Sequence, residues 1–163
     1  MEKTSPNQTV QLREVQSSDL DRFFIFEQDK EAIFMAAFTT KDPSDRLAFD
    51  NHWKKILNNP SIVNKTILYN SMVIGHIAKF MSEDKPEITY WLDKAFWGKG
   101  IATKALQLFL EIIAVRPLYA RVAKDNIGSN RVLEKCGFHI IGEDSGFANG
   151  REQETAEFLR MLS

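Results

Sequence analysis

Residues 96–103 read Phe-Trp-Gly-Lys-Gly-Ile-Ala-Thr and form the most informative stretch of this sequence. The residues before it have the pattern of a strand, and an amphipathic helix is predicted over Lys99–Ala114. Glycine lets the backbone turn sharply, and the first turn of a helix carries unpaired N–H donors that attract anions. The stretch therefore predicts either a plain strand-to-helix connection or a phosphate-binding turn with Lys99 at its rim.

Two other phosphate-binding motifs are excluded by their spacing. A Walker A loop requires Gly-Lys-Ser/Thr after four intervening residues, and this stretch lacks it. The dinucleotide fingerprint needs glycine or alanine where Thr103 stands. It also follows the first strand of its fold, whereas this turn follows the fourth predicted strand. The sequence therefore disfavours a nucleotide-dependent kinase or reductase.

Outward from this turn, the apolar pattern predicts elements in the order β-α-α-β-β-β-α-β-α-β-β. Strands are predicted at residues 10–15, 63–69, 72–80, 87–92, 119–123, 138–142 and 154–161. The first two helices are predicted to start at residues 17–19 and 42–43, and the last spans residues 127–136 between Asn126 and Gly137. This order predicts a mixed α/β sheet with helices on its faces, not a regular doubly wound fold.

The composition is that of one globular domain. The 163 residues are 44% hydrophobic and 26% charged with a net charge of −1, whereas a domain built to grip nucleic acid usually carries a basic excess. Cys136 is the only cysteine and the histidines lack ligand spacing, so neither a disulfide nor a metal site is expected. Neither a signal peptide nor an apolar run near the ~20 residues of a membrane span is present. We expect a cytoplasmic protein with a flexible segment at residues 1–8, one domain at residues 9–163, and no nucleic-acid or membrane partner.

Two motifs carry a resemblance to a known family. Residues 97–102, Trp-Gly-Lys-Gly-Ile-Ala, resemble the pyrophosphate loop of the GNAT superfamily of acyl-CoA N-acyltransferases. Residues 125–138, Asp-Asn-Ile-Gly-Ser-Asn-Arg-Val-Leu-Glu-Lys-Cys-Gly-Phe, resemble its second motif, Asn-x-x-Ser followed by a helix ending in Lys-x-Gly-Phe. Leu12-Arg13 and Tyr90-Trp91-Leu92 are further similar to the RimJ/RimL-type branch (ribosomal-protein-alanine acetyltransferase type). That branch is associated with acetylation of protein N-terminal α-amines.

The resemblance implies the GNAT fold, a central, mostly antiparallel, twisted sheet of about seven strands flanked by about four helices. It implies acetyl-CoA as cosubstrate, with the pyrophosphate on backbone amides of residues 98–102. The strand Ile88–Leu92 would carry a bulge and open a V against Tyr119–Ala123, where the pantetheine arm would lie. The implied cosubstrate-binding residues are Leu92, Trp97, Gly98, Lys99, Gly100, Ile101, Ala102, Thr103, Asn126, Ser129 and Asn130.

The sequence departs from the family pattern at two positions. Trp97 replaces the usual Gln or Arg of the first motif, which removes a charged side-chain contact to phosphate. Leu133 stands where many members carry a tyrosine general acid, so no phenol is expected to protonate the leaving thiolate.

Glu87 and Ser129 are the candidate catalytic residues. Glu87 begins the strand that borders the acyl group and is the candidate base, and its alternative is a solvent-facing glutamate at a strand end. Ser129 is the candidate acid or water-positioning group, or it only completes a helix cap. Asn126 can serve both as the helix N-cap and as a CoA contact. Cys136 is expected to be a buried structural thiol.

Aromatic residues are expected at the acceptor side. The first two helices border the acceptor cleft in the GNAT fold, so Phe34 and Phe38 are expected to shape it, with Tyr90 beside them. The polar loop at residues 144–153 either closes over the acceptor or is an ordinary hairpin loop.

The expected activity is transfer of an acetyl group to a primary amine by direct attack through a tetrahedral intermediate. A protein N-terminal α-amine is one candidate acceptor: with a pKa of about 7.7–8 it is roughly a tenth neutral at pH 7 and needs little help from a base. Polyamines and aminoglycosides stay open as acceptors. The alternative is a CoA-binding module that has lost catalysis and acts as a sensor or partner-binding subunit. A homodimer is compatible with the family.

Overall fold

The computed structural model describes residues 9–163, so the segment expected to be flexible at residues 1–8 lies outside the described residues. The strands are β1 (Val10–Glu14), β2 (Val63–Tyr69), β3 (Met72–Ser82), β4 (Lys85–Leu92), β5 (Leu118–Ala123), β6 (His139–Ala148) and β7 (Gln153–Leu162). The helices are α1 (Asp19–Phe26), α2 (Lys30–Ala36), α3 (Arg46–Leu57), α4 (Ile101–Ile112) and α5 (Ile127–Lys135). A single 3₁₀ turn, Lys94–Phe96, connects β4 to the glycine turn. The predicted order is confirmed except for α2, which makes five helices where about four were expected.

The helices differ from the prediction in two ways: α2 was not predicted, and α3 begins later than predicted. α2 has only seven residues, and Asp29 caps it by accepting a hydrogen bond from the Ala32 N–H. Helix α3 begins at Arg46 because the Asp45 carboxylate accepts from the Ala48 N–H at 3.0 Å. Asp42, the predicted cap, instead accepts from Ser44 in the preceding turn.

The sheet contains all seven strands in the order β1-β2-β3-β4-β5-β7-β6, which confirms the expected mostly antiparallel sheet. Every neighbouring pair is antiparallel except β4 and β5, which run parallel and share a single pair, Glu87 with Tyr119. Beyond that pair the two strands separate and open the expected V. The expectation of a bulge in β4 is wrong, because β4 pairs with β3 without a shift in register from Lys85 to Leu92. The gap between β4 and β5 opens because the two strands pair only at Glu87 and Tyr119.

Helices cover both faces of the sheet. On one face α4 and α5 bury the larger core, which includes Ile77 of β3 and Phe109 of α4. On the other face α1 and α3 bury Phe23, Phe26 and Trp53. Because successive strand residues point to opposite faces, His76 and Ala78 lie on the side of α1 and α3 while Ile77 lies on the side of α4. Within residues 9–163, no helix is long and apolar enough to cross a bilayer.

Candidate active site

The glycine turn has the geometry of an anion site. Gly98 and Gly100 have φ of +76° and +77°, the left-handed region that side chains other than glycine rarely adopt. Gly100 is the N-cap residue of α4, and no side chain caps the helix there. A Cβ built at either glycine would meet nothing within 4 Å. The unpaired N–H donors at the start of α4 therefore face open space, as a phosphate-binding turn requires.

A cavity of about 910 Å³ begins at this turn and reaches the other face of the sheet. At one end it is lined by Gly98, Gly100 and Ala102, and in the middle by the separated parts of β4 and β5. Its far end is lined by α2, by α3 with Trp53 on the wall, and by Glu27, which follows α1. The cavity thus joins the glycine turn to the face covered by α1 and α3 through the gap in the sheet.

Most of the predicted cosubstrate-binding residues line this cavity. Those that do are Leu92, Trp97, Gly98, Gly100, Ile101, Ala102, Thr103, Asn126 and Ser129. Lys99 lines a separate, smaller depression beside β1. Asn130 instead stabilises the fold, because its amide donates to the carbonyls of Ala123 and Asn126 while its oxygen accepts from Arg160.

Asn126 and Trp97 brace the cavity through hydrogen bonds. The Asn126 oxygen accepts from the Ser129 N–H at 3.1 Å, which confirms the predicted cap of α5. Its amide nitrogen donates to the Met35 carbonyl at 3.1 Å and so ties α5 to α2. The Trp97 indole N–H donates to the Leu92 carbonyl at 2.9 Å, which fixes the glycine turn against the end of β4.

Tyr90 and Ser129 form a hydroxyl pair in the cavity wall. Their oxygens lie 2.6 Å apart, with Tyr90 on β4 and Ser129 on the first turn of α5. Burial, opposed in part by the bond to Ser129, raises the pKa of Tyr90 to about 12, so the phenol stays protonated at neutral pH. A phenol therefore lies in the cavity wall, although Leu133 stands where many family members carry a tyrosine. Leu133 is buried, and the phenol in this region comes from β4 instead of from α5.

Glu87 does not face solvent and lies in an ionic cluster whose other members are Arg121, Glu157 and Asp144. Its side chain is buried, and the guanidinium of Arg121 lies 3.5 Å from one carboxylate oxygen. Arg121 also contacts Glu157 at 3.0 Å and Asp144 at 3.5 Å. Burial raises the pKa of Glu157, although Arg121 opposes the shift. Arg121 lines the cavity, whereas Glu87 is absent from its described lining.

The turn between β6 and β7 supports the end of the cavity that α2 and α3 line. The Gly150 N–H donates to the Ala37 carbonyl, the Asn149 amide to the Thr39 carbonyl and the Arg151 guanidinium to the Phe34 carbonyl, each at 2.8 Å. The predicted loop at residues 144–153 is thus mostly strand with a turn at residues 149–152, as in the hairpin alternative, and the turn is anchored to α2.

Of the three aromatic residues predicted to lie at the acceptor, two line the cavity and one does not. Phe38 and Tyr90 line the cavity. The ring of Phe34 packs under the Arg151 guanidinium, 4.3 Å from the ring centroid, and is absent from the described lining.

Several residues of the cavity were missed by the sequence analysis. On the side of α1 and α3, His76 Nε2 lies 2.7 Å from a carboxylate oxygen of Glu27. The indole N–H of Trp91 is buried there without a hydrogen-bond partner among the described residues. At the other end, Arg131 and Lys135 lie one turn apart on α5 and add positive charge. The i, i+4 spacing of Arg131 and Lys135 could have predicted that they lie on one face of α5, whereas nothing in the sequence connects Glu27 to His76.

Cys136 has no place in the cavity. It is partly buried at the end of α5, with its sulfur 3.8 Å from the Thr103 carbonyl. Burial raises the pKa of this thiol, which keeps it protonated and a poor nucleophile. Within residues 9–163, no group of three or more His, Cys, Asp or Glu side chains is arranged to hold a metal ion.

Comparisons with known proteins agree with this architecture. A sequence model of the acetyltransferase (GNAT) domain matches residues 9–139. The chain is 46% identical over 59 residues to the probable N-acetyltransferase YjcK of Bacillus subtilis (strain 168), a match that spans 34% of this chain and 33% of YjcK.

Two solved structures have the same fold. Mycobacterium smegmatis RimJ in complex with CoA-disulfide has a TM-score of 0.81 at 18% identity, over 96% of this chain and 83% of RimJ. The spermidine N-acetyltransferase from Vibrio cholerae in complex with CoA and spermine has a TM-score of 0.76 at 18% identity, over 94% of this chain and 95% of that one. At such identities the likeness concerns the fold. Because the domain match covers most of its length, the chain belongs to the GNAT acetyltransferase domain family.

Proposed function

We propose that this protein transfers an acetyl group from acetyl-CoA to a primary amine. The observation that carries this proposal is the continuous cavity, which connects an uncapped glycine turn, a gap between two strands and a pocket on the far face of the sheet. A long ligand with a phosphate group at one end and a reactive group at the other matches this path, because both ends must be held for transfer to occur.

The residues of the cavity fit acetyl-CoA in chemistry as well as in shape. Backbone amides of residues 98–102 would receive the pyrophosphate, and Arg131 and Lys135 would add charge for the remaining phosphate. The amide-containing pantetheine arm would lie in the gap, where β4 and β5 offer unpaired backbone groups beyond Glu87 and Tyr119. Leu92 and Ile101 would pack against its apolar parts.

Proton transfer to the departing thiolate is assigned to the Tyr90–Ser129 pair. The amine nitrogen would attack the thioester carbonyl, a C–N bond would form, and the C–S bond would break to release CoA as thiolate. The Ser129 hydroxyl would donate its proton to sulfur and take one from the Tyr90 phenol, 2.6 Å away. The phenolate would recover its proton from solvent. This arrangement supplies the general acid that the leucine at position 133 cannot.

We propose a positioning role for Glu87 in place of the base role expected from the sequence. The base would have to approach the acceptor amine, but the Glu87 carboxylate faces Arg121 in the ionic cluster. With Glu157 it holds the guanidinium of Arg121 at the cavity wall.

A single amine is the acceptor that we propose, with a protein N-terminal α-amine as the first candidate. Three carboxylates line the acceptor side, but each already has a partner in the protein: Glu27 binds His76, Asp42 binds Ser44, and Asp45 caps α3. A polyamine or aminoglycoside presents several positive charges, and three carboxylates engaged in local hydrogen bonds hold it less firmly than a cluster of unengaged carboxylates would. The RimJ/RimL-like motifs point to the same acceptor class.

Turnover of acetyl-CoA against a panel of amines tests the proposal. Thiol release would be followed with peptides that differ at the N-terminus, with polyamines and with aminoglycosides, and CoA binding would be measured by calorimetry on the same sample. We expect CoA binding and thiol release that depends on peptides with a free α-amine. CoA binding without turnover of any amine would favour the sensor function. Turnover with polyamines alone would show that polyamines, and not N-terminal α-amines, are the acceptors. A folded protein that does not bind CoA would contradict the whole proposal.

A further inference from the structure

A histidine–carboxylate pair lies in the acceptor half of the cavity. His76 is on β3, Glu27 follows the last residue of α1, and both line the cavity. The distance from His76 Nε2 to the Glu27 carboxylate is 2.7 Å, and both side chains are mostly shielded from solvent. The imidazole ring packs against Phe23 and Trp53, with centroid distances of 4.6 and 5.1 Å, so its orientation is fixed.

This pairing determines which ring nitrogen can act on a substrate. The Glu27 carboxylate only accepts hydrogen bonds, so the proton of a neutral His76 must be on Nε2. The lone pair is then on Nδ1, which has no hydrogen-bond partner among residues 9–163. A carboxylate that holds one imidazole nitrogen in this way leaves the other able to accept a proton and stabilises the imidazolium that results.

The other charged groups near the imidazole are already paired or exposed. On α1, Arg22 lies 3.7 Å from Asp93, and the Asp19 carboxylate binds both Arg13 and Thr66. Thr66 is the cross-strand neighbour of His76 on β2. On α3, His52 lines the cavity but is exposed. The neighbour of His76 on β4 is Trp91, which carries no charge. Glu27 is therefore the charged group that acts on His76 directly.

We propose that Nδ1 of His76 accepts the proton that the acceptor amine loses, with Glu27 as the residue that positions and stabilises the imidazole. The inference rests on the proposed acetyl transfer and supplies the base that the cluster around Glu87 does not. The ammonium N–H bond breaks, its proton binds Nδ1, and the freed nitrogen lone pair forms the C–N bond with the thioester carbonyl. The nitrogen releases a second proton to solvent as the C–S bond breaks and the amide forms. The imidazolium then releases its proton to solvent after the product leaves.

The unpaired indole N–H of Trp91 supports a ligand at this position. A buried donor without an acceptor costs free energy, so a ligand oxygen that accepts from it would be bound favourably. Trp91 is the cross-strand neighbour of His76, and both line the cavity. The first carbonyl of a peptide lies close to its α-amine, so an N-terminal residue presents both groups that this pair of side chains would receive.

The dependence of kcat on pH tests the role of His76. For His76→Gln we expect kcat to fall about tenfold near pH 7, because roughly a tenth of the α-amine is already neutral at that pH. The loss should shrink as the pH rises towards the pKa of the amine, because the amine then loses its proton unaided. For Glu27→Gln kcat should fall as well, because the amide can itself donate a hydrogen bond to Nε2 and no longer fixes the proton there. His139→Gln, at an exposed position on β6, is the matched control and should keep the wild-type profile.

Nitrogen NMR of the imidazole gives a readout that does not depend on turnover. In wild-type protein at pH 8, the ¹⁵N shifts of His76 should show a protonated Nε2 and an unprotonated Nδ1. A proton on Nδ1, or a His76→Gln variant with a wild-type pH profile, would overturn the inference while leaving the proposed acetyl transfer intact. Wild-type protein that acetylates no amine would overturn the proposed function, and the role of His76 with it.

Discussion

Replacing Gly150 with alanine should weaken the contacts between the β6–β7 turn and α2, which lines the proposed acceptor end of the cavity. A Cβ at this position would lie 2.4 Å from the Ile33 carbonyl oxygen and 2.8 Å from the Ala37 carbonyl oxygen. Both are backbone atoms at the C-terminal end of α2, so they cannot turn aside as a flexible side chain would. Ordinary van der Waals contact needs at least 3.4 Å, so the turn must move away from α2. That movement strains or breaks the bonds from the turn to Ala37, Thr39 and Phe34.

The expected loss of stability follows from these contacts. Overpacking a fitted site costs about 1–3 kcal/mol, and each hydrogen bond of the turn contributes about 1 kcal/mol. Allowing for partial relaxation, we expect the free energy of unfolding to fall by about 3 kcal/mol. For a domain of this size, that corresponds to a decrease in Tm of about 6–12 °C.

Thermal unfolding followed by circular dichroism, together with steady-state kinetics, checks this prediction. Gly146→Ala is the matched control, because Gly146 is on the same strand pair and a Cβ there meets nothing within 4 Å. In Gly150→Ala the KM for the amine should rise more than the KM for acetyl-CoA, since the glycine turn at residues 98–100 lies at the other end of the cavity. A Tm equal to that of the control, or an equal rise in both KM values, would refute the reasoning.

Three further predictions concern the cavity and the fold. Tyr90→Phe should lower kcat about 100-fold or more with an unchanged dissociation constant for CoA, because it removes the proton that replenishes Ser129; thiol release and calorimetry measure the two quantities. Gly100→Ala should weaken CoA binding in calorimetry, because alanine in the left-handed region costs about 1–2 kcal/mol and its methyl group occupies the open space at the start of α4. Burial raises the pKa of Asp19, but the hydrogen bonds from Arg13, Gln16 and Thr66 lower it by more, so the folded pKa lies below the unfolded value near 3.9. The ionised carboxylate therefore stabilises the fold above the unfolded pKa, and this contribution is lost as the pH falls through the lower folded pKa. Asp19→Asn should therefore cost about 2–3 kcal/mol in urea unfolding at pH 7 and progressively less in acid, and a constant difference across that range would contradict the assignment.

The features that were predicted correctly depend on residues close together in the sequence. The glycine turn, the Asn126 cap and the end of α5 at Gly137 each involve a few consecutive residues, and their backbone conformations follow from local chemistry. The strands of the β2–β3 hairpin were also found, since their apolar patterns are long.

The features that were missed depend on the fold as a whole. Helix α2 is too short to show a clear period, and it is held by the distant turn around Gly150. The two side-chain pairs of the cavity join residues 39 positions apart, for Tyr90 and Ser129, and 49 positions apart, for Glu27 and His76. Only the sheet register and the packing of α1 bring such partners together. The surroundings of Glu87 could not be predicted for the same reason, because its partner Arg121 is on another strand.

The single pairing between β4 and β5 also bears on how long the protein survives in a cell. Glu87 and Tyr119 join one half of the sheet to the other, and beyond them each strand has a backbone edge that a peptide-like ligand can pair with. A ligand that bridges the two edges stabilises the native state by mass action, by about 2.7 kcal/mol at a hundred times its dissociation constant. Degradation of the transiently opened protein should then slow as acetyl-CoA rises, so that the supply of the acetyl donor would set the abundance of the enzyme as well as its rate.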